Sequence, residues 1–423
     1  MSKNLLLLCL IAVLSFASTV CAEDVFRFRG ENSQGKYAGT GLLKSWPEDG
    51  PKRLWLNDDL NEGWGSVSKI GDRIYLNCLD SEDAKKETVV CLDLNGKKLW
   101  QKQIGGTWPH ANAYPLPRST PTYVPGDKAD DAKLVILSGN GELFCLTAKD
   151  GTVLWNKHMA DTYETTFGNW GMAESVIVKD GIIFVTVCGK KALAVAMKLE
   201  NGDVIWETPS NDDTCNYVTP IIYNDEQLVI MTAKYVTGLD LKTGKSLWQE
   251  DYQEIVGKVR MAGINCITPL LKGNRFFVTS GFGQGGVMFE ILPDGKGVKQ
   301  CWANKELDPY YGGVVELDGR IYGASFRGNW MCLDWETGET IYNTPWDKSG
   351  KGAIIVADDM LYLYEERRGT MGLVKPGDTF ELVSSFPVEF GSKEHWAHPV
   401  ICDGVLYVRH GKGLAAYDLR ENQ

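Results

Sequence analysis

The stretch Gly238–Trp248, Gly-Leu-Asp-Leu-Lys-Thr-Gly-Lys-Ser-Leu-Trp, compresses half a β-sheet into one short segment. Leu239 and Leu241 flank Asp240, the period of two expected of a strand with one buried face. Lys242-Thr243-Gly244-Lys245 supplies a tight turn, with Gly244 free to take positive φ. Ser246-Leu247-Trp248 starts the returning strand, and its indole brings a large apolar body. One such hairpin constrains little, but the chain repeats it. Closely similar hairpins end at Trp100, Trp155, Trp206 and Trp302, and another ends at Tyr342 in the tryptophan's place.

Each hairpin follows a first half made of an apolar strand, a turn and a second strand, with turns at Gly71-Asp72, Asp180-Gly181, Gly273-Asn274, Asp318-Gly319, Asp358-Asp359 and Asp403-Gly404. The spacing of the tryptophans suits four strands of about 5–6 residues plus turns. The expected fold is therefore all-β: an eight-bladed β-propeller of four-stranded antiparallel blades, with seven blades as the alternative because the seventh unit (Ala353 to Phe386) loses its tryptophan. The eighth unit ends after three strands, at Leu419. Lys52-Arg53-Leu54-Trp55-Leu56, stranded ahead of the first unit, carries the missing tryptophan and is expected to complete the last blade and close the ring. Residues 50–423 then form one propeller domain. Residues 23–49, punctuated by Gly and Asn, read as an extended lead-in packed on the surface.

Residues 1–22 read as a signal peptide: Lys3, an apolar run from Leu5 to Val13, and small residues ending at Ala22. The expectation is cleavage near Ala22 and a periplasmic or secreted protein, with lipid attachment at Cys21 disfavoured by Ser18-Thr19-Val20. No later stretch is long and apolar enough to span a bilayer. Without Lys3 the chain holds 43 basic and 55 acidic residues, a balance of −12 that argues against nucleic-acid or anionic-membrane partners. Nine cysteines follow residue 22, an odd number scattered through apolar strand patterns, so they read as buried hydrophobes; a pair such as Cys78 and Cys91, on adjacent strands, could still be bridged in an oxidising compartment.

The Leu-Asp-x-x-Thr-Gly-x-x-Leu-Trp hairpin resembles the repeat of pyrroloquinoline-quinone (PQQ)-like propellers across nearly the whole chain. The lead-in, Phe-Arg-Gly-x-Asn-x-x-Gly followed by Gly-Leu-Leu-Lys-Ser-Trp-Pro, is similar to the N-terminal signature of exported bacterial BamB-like proteins. That resemblance implies a non-catalytic scaffold binding protein or peptide partners in the cell envelope, as a monomeric ring without a cofactor. The alternatives it implies are a quinoprotein dehydrogenase of alcohols or sugars, using PQQ and Ca²⁺, or a ligand-binding sensor propeller. The quinone enzymes' adjacent cysteine pair is absent here, and no metal ligand or catalytic base aligns, so no catalytic residue is assigned.

In a propeller the first strand of each blade lines the axis, and the segments entering those strands form the channel mouth. Here they carry Trp64, Arg118, Asn169, Trp170, Glu174, Asn216, Asn265, Tyr310, Tyr311, His395, Trp396 and His398, a set suited to reading a small polar ligand or a peptide. Singly, each reads first as a strand cap. His395 and His398 sit in a loop with only Glu394 beside them, which does not make a metal site. Gly281-Phe282-Gly283-Gln284-Gly285-Gly286 has no following helix and reads as a hairpin loop, not a nucleotide-binding loop.

Overall fold

A computed structural model describes residues 24–110, 114–257, 259, 261–346 and 350–421. The proposed signal peptide and Cys21 lie outside these. The chain forms eight blades, each a four-stranded antiparallel sheet, one of which gains a short parallel fifth strand. The first blade comprises Ser68–Ile70, Arg73–Leu79, Lys86–Asp93 and Lys98–Gly106, counted from the axis outward, and the next six follow in the same order. In the eighth, Val400–Cys402, Val405–His410 and Gly413–Asp418 are completed by Arg53–Asn57. Trp55 pairs with Ala416 and Asn57 with Leu414, which closes the ring as the orphan strand implied. Among the described residues no helix is long and apolar enough to cross a membrane.

The repeated motif is legible atom by atom. Asp240 Oδ1 accepts from the backbone N–H of Lys242 and Thr243 and from the Thr243 hydroxyl, and Asp334 does the same for Glu336 and Thr337. These bonds replace ladder bonds the turn cannot make. One residue before each tryptophan the outer strand bulges: the register slips between Val153 and Trp155 and across Leu99, Ile205 and Leu247. The bulge turns the leucine out and the tryptophan toward the next blade. There the turn glycine makes room, since a Cβ on Gly151, Gly202, Gly244 or Gly338 would meet the ring of Trp100, Trp155, Trp206 or Trp302 respectively. Three of these indoles also donate across the blade boundary, Trp155 to Leu199 O (3.0 Å), Trp206 to Leu241 O (3.1 Å) and Trp302 to Trp335 O (3.1 Å). Trp248 departs from the pattern. It folds over Gly238 of its own blade and donates to Gln227 Oε1 at 3.0 Å.

The seventh blade has Ser384 in the tryptophan's place, paired with Leu373 after the bulge. Trp46 of the lead-in fills the gap. Its backbone N–H donates to Ser384 Oγ at 2.9 Å, and its ring packs on Tyr362 and Phe386. Tyr362 holds the position in its strand that Tyr75, Phe184, Phe277 and Tyr407 hold beneath the other tryptophans.

The lead-in is more than a surface segment. Val25 bridges to Lys69 of blade one, Phe26 O accepts from Tyr123 N of blade two, and Asn32 exchanges bonds with the backbone of Ile222 in blade four. Gln34 does likewise with Pro269 and Leu271 of blade five. Lys36–Tyr37 adds a parallel fifth strand to blade seven. Arg29, 3% exposed, donates to Val314 O (2.7 Å) of blade six, Ile354 O (3.1 Å) of blade seven and His398 Nδ1 (2.9 Å) of blade eight. The segment thus hydrogen-bonds seven of the eight blades at the axis. Nothing in its composition shows this, because the bonds run to backbone atoms far away in sequence. Cys78 faces Thr88 and Cys91 faces Tyr75, so those two thiols are not opposed across the ladder, and none of the nine described cysteines forms a disulfide.

Trp46→Ala removes a buried indole that blade seven cannot supply itself. It is expected to cost about 3–5 kcal/mol in denaturant unfolding; a loss below about 1 kcal/mol would show that Trp46 does not substitute for the missing repeat residue.

Candidate functional site: an axial funnel

Two residues before each innermost strand, the backbone reaches the axis. Ser66, Thr120, Ser175 and Thr219 occupy this position in blades one to four, and their side chains stitch the blades together. Ser66 N donates to Thr120 Oγ1 (3.0 Å), Thr120 N to Ser175 Oγ (2.9 Å) and Ser175 N to Thr219 Oγ1 (3.1 Å). Ser66 Oγ donates to His398 O at 2.7 Å, joining blade eight to blade one. In blade six the same position is Gly312, where a Cβ would collide with Gly352 O.

Two residues earlier again, Trp64, Arg118, Ala173, Tyr217, Cys266, Tyr310 and Trp396 come one from each of seven blades and form the wall of a funnel. Phe28 and His398 lie at its base, edge to face at 5.0 Å, with Arg29 closing the axis beyond them. The funnel leaves about 120 Å³ of open space.

Its upper wall is aromatic. Trp396 packs on Trp64 (4.8 Å between centroids), Tyr114 (4.9 Å) and Tyr311 (5.2 Å). The Arg118 guanidinium lies 5.4 Å from the Trp64 ring centre and donates to the carbonyls of Trp170 (2.9 Å) and Tyr114. Burial lowers its pKa, and among the described residues it makes no ion pair with a carboxylate. Tyr217 OH accepts from Trp170 N at 3.0 Å, and Tyr311 OH donates to Glu366 at 2.6 Å. His398 accepts from Arg29 at Nδ1 and donates through Nε2 to Tyr311 O (3.0 Å), which makes it a neutral ring; burial and then the adjacent guanidinium depress its pKa to about 3.

Of the residues singled out from sequence, Trp64, Arg118, Trp170, Tyr310, Tyr311, Trp396 and His398 line the funnel. The others face elsewhere. Asn169 offers its carbonyl to Trp108 Nε1 at 2.9 Å. Glu174 accepts from Thr186 N at 3.2 Å, in the interior of blade three. Asn216 Oδ1 accepts from Asn265 N, and Asn265 Nδ2 donates to Thr232 O, tying blades four and five. His395 stacks on His410 and bonds Tyr364 OH at 2.7 Å. Phe28, Tyr114, Ala173, Ser175, Tyr217, Thr219 and Cys266 also line the site beyond the residues singled out from sequence. Cys266 sits at the ring position of Trp64 and Tyr217, so aligning the units on the serine and threonine positions finds it; Phe28 and Tyr114 carry no such signal.

The funnel does not suit PQQ with Ca²⁺. Its lining contains no carboxylate or side-chain amide to supply oxygen ligands, and its space is small against the roughly 300–1,000 Å³ usual for small-molecule sites. No group of three or more His, Cys, Asp or Glu among the described residues is arranged to hold a metal.

The sequence profile of the family described as "Outer membrane protein assembly factor BamB" matches residues 85–341. The chain belongs to this family. It is 23% identical over 359 residues to the outer membrane protein assembly factor BamB of Yersinia pestis, covering 78% of this chain and 79% of that one. It is 22% identical over 227 residues to BamB of Nitrosomonas eutropha, covering 52% and 49%, about half of that relative's length. Among solved structures, BamB from Moraxella catarrhalis superposes with a TM-score of 0.58 at 12% identity, over 89% of this chain and 98% of that one. A europium-containing methanol dehydrogenase superposes at 0.66 and 11% identity, over 92% and 90%. These structural likenesses establish the shared propeller fold alone.

The buried acids and histidines set a pH window. Burial pushes Glu174 up to about 8 from its ordinary 4.5. Its neutral form therefore contributes stability that is complete below about pH 4.5 and is lost as pH rises through about 8. His395, at about 4, and His398, at about 3, act oppositely: their contribution is complete above about pH 6.5 and is lost as pH falls through those values. Glu174→Gln keeps an acceptor for Thr186 N and cannot ionise. It should melt like the wild type at pH 5 and lose much less stability between pH 5 and 9; parallel losses in the two proteins would contradict the buried neutral carboxyl.

Proposed function

We propose that this protein is a non-catalytic scaffold of the cell envelope that binds protein or peptide partners during outer-membrane protein assembly, exported by the signal sequence at residues 1–22 and acting on the periplasmic side as a monomeric ring without a cofactor. The observation that carries this reading is the funnel lining. Aromatic rings and one guanidinium converge on the axis, and no side chain among them is arranged to accept a proton from a substrate or ligate a metal. Such a lining suits recognition of a partner's surface. Family membership agrees, since the matched family is named for outer-membrane assembly.

The bulges give the ring a second surface of use to a scaffold. Leu54, Leu99, Leu154, Ile205 and Val383 stand exposed at the same position on successive outer strands. Each lies on an unpaired sheet edge where an extended peptide can add a strand and seat an apolar side chain.

Deleting the gene in its native host should lower the amount of folded outer-membrane β-barrel protein, read by heat-modifiable migration on gels, and leave dye-linked alcohol and sugar oxidation unchanged. Normal barrel levels together with loss of a quinone-dependent oxidation would overturn the reading in favour of a dehydrogenase.

A further inference from the structure

The funnel carries a guanidinium that no carboxylate in its lining pairs with, the buried Glu87 acting on it only from outside the cavity. Arg118 has five N–H donors, and among the described residues two backbone carbonyls and the face of Trp64 are what it meets. No acidic side chain lines the cavity. Close by, the buried Trp64 indole N–H has no acceptor among the described residues. Two donors without an anion, set in an aromatic wall, define what is missing: an acceptor with negative charge, carried on an apolar body. The space of about 120 Å³, below the roughly 150 Å³ in which one benzene ring is held, limits that body to at most one ring, with the rest of the ligand standing in the open mouth of the funnel.

A cation is the other guest an aromatic wall can take. Here the guanidinium already occupies the face of Trp64, and a second positive charge beside it would be repelled in a poorly solvated site. A carboxylate instead pairs with Arg118 in charge-assisted bonds, while its ring packs among Trp396, Tyr114 and Tyr311.

We propose that the axial funnel binds a carboxylate carried on a single aromatic ring, held by Arg118 and seated on Trp396. The proposal rests on reading the funnel as a binding site and names the chemistry it binds. Two sources supply that chemistry, a free arylalkanoic acid and the terminal residue of a peptide ending in phenylalanine.

The purified protein is titrated with phenylacetate, phenylacetamide, benzyltrimethylammonium, and one short peptide ending in phenylalanine as its free acid or its amide, following tryptophan fluorescence and calorimetry. The acids should bind saturably and at least about ten-fold more tightly than their amides. Arg118→Gln should remove that preference, and Arg118→Lys should keep part of it. If Arg118→Gln does not fold, the acid-to-amide ratio in the wild type and the weakening of both acids in Trp396→Ala carry the test. Tighter binding of the peptide acid than of phenylacetate identifies a chain end as the ligand; the reverse identifies a free acid. Amides binding as well as acids, the ammonium compound binding better, or no saturable signal with either acid would overturn the proposal. Acid binding with unchanged barrel levels on gene deletion would leave this site standing and defeat the envelope-assembly reading alone.

Discussion

The innermost strand of each blade has a neighbour on one side only, so a closed ring turns eight rows of unpaired backbone groups toward its axis. Unpaired peptide groups that are also shielded from water are costly, at about 1–3 kcal/mol each. In this protein residues 24–37 answer that constraint. The segment crosses the axis and offers Val25 and Phe26 backbone, Asn32 and Gln34 amides and the Arg29 guanidinium to inner strands that would otherwise lack partners. Arg29 is suited to the task because its fork reaches three blades at once. Its burial without a carboxylate is compensated by carbonyl acceptors, although the loss of solvation still lowers its pKa to about 10.

That single segment shapes everything above it. By filling the turn end of the axis it converts an open channel into a blind funnel, with Phe28 and His398 at the base. Farther along the chain, Trp46 mends the blade that lost its tryptophan, and Arg53–Asn57 closes the ring. Gly50 receives the Phe386 ring, as the hairpin glycines receive tryptophans, and Asp418 N bonds Lys52 O as Asp240 N bonds Lys245 O. The split hairpin is rebuilt from the two ends of the propeller.

How much of this the sequence discloses follows from which bonds are local. A glycine turn, the bulge and, in most units, the tryptophan recur locally, so blade number and closure are legible from spacing alone. The funnel is half legible. Residues entering inner strands alternate, and only every second one faces the axis. Trp64, Arg118, Tyr310 and Trp396 share that parity with the serine and threonine belt, whereas Glu174, out of step, turns into its own blade, and Asn216, Asn265 and His395 point between blades; Tyr311 is out of step and still reaches the funnel. A period of two in a short irregular segment gives no sign of its phase until the units are superposed. The path of residues 24–37 is not legible, because its partners are backbone atoms whose positions depend on the completed ring.

The claim on which the rest depends is that this segment is the axle of the ring, and amide hydrogen exchange tests it directly. Tyr123 N bonds Phe26 O, Ile222 N bonds Asn32 Oδ1 and Leu271 N bonds Gln34 Oε1. These three inner-strand amides should exchange as slowly as amides in the middle strands of their blades. Exchange at the rate of surface loops, with the middle strands still protected, would contradict the account.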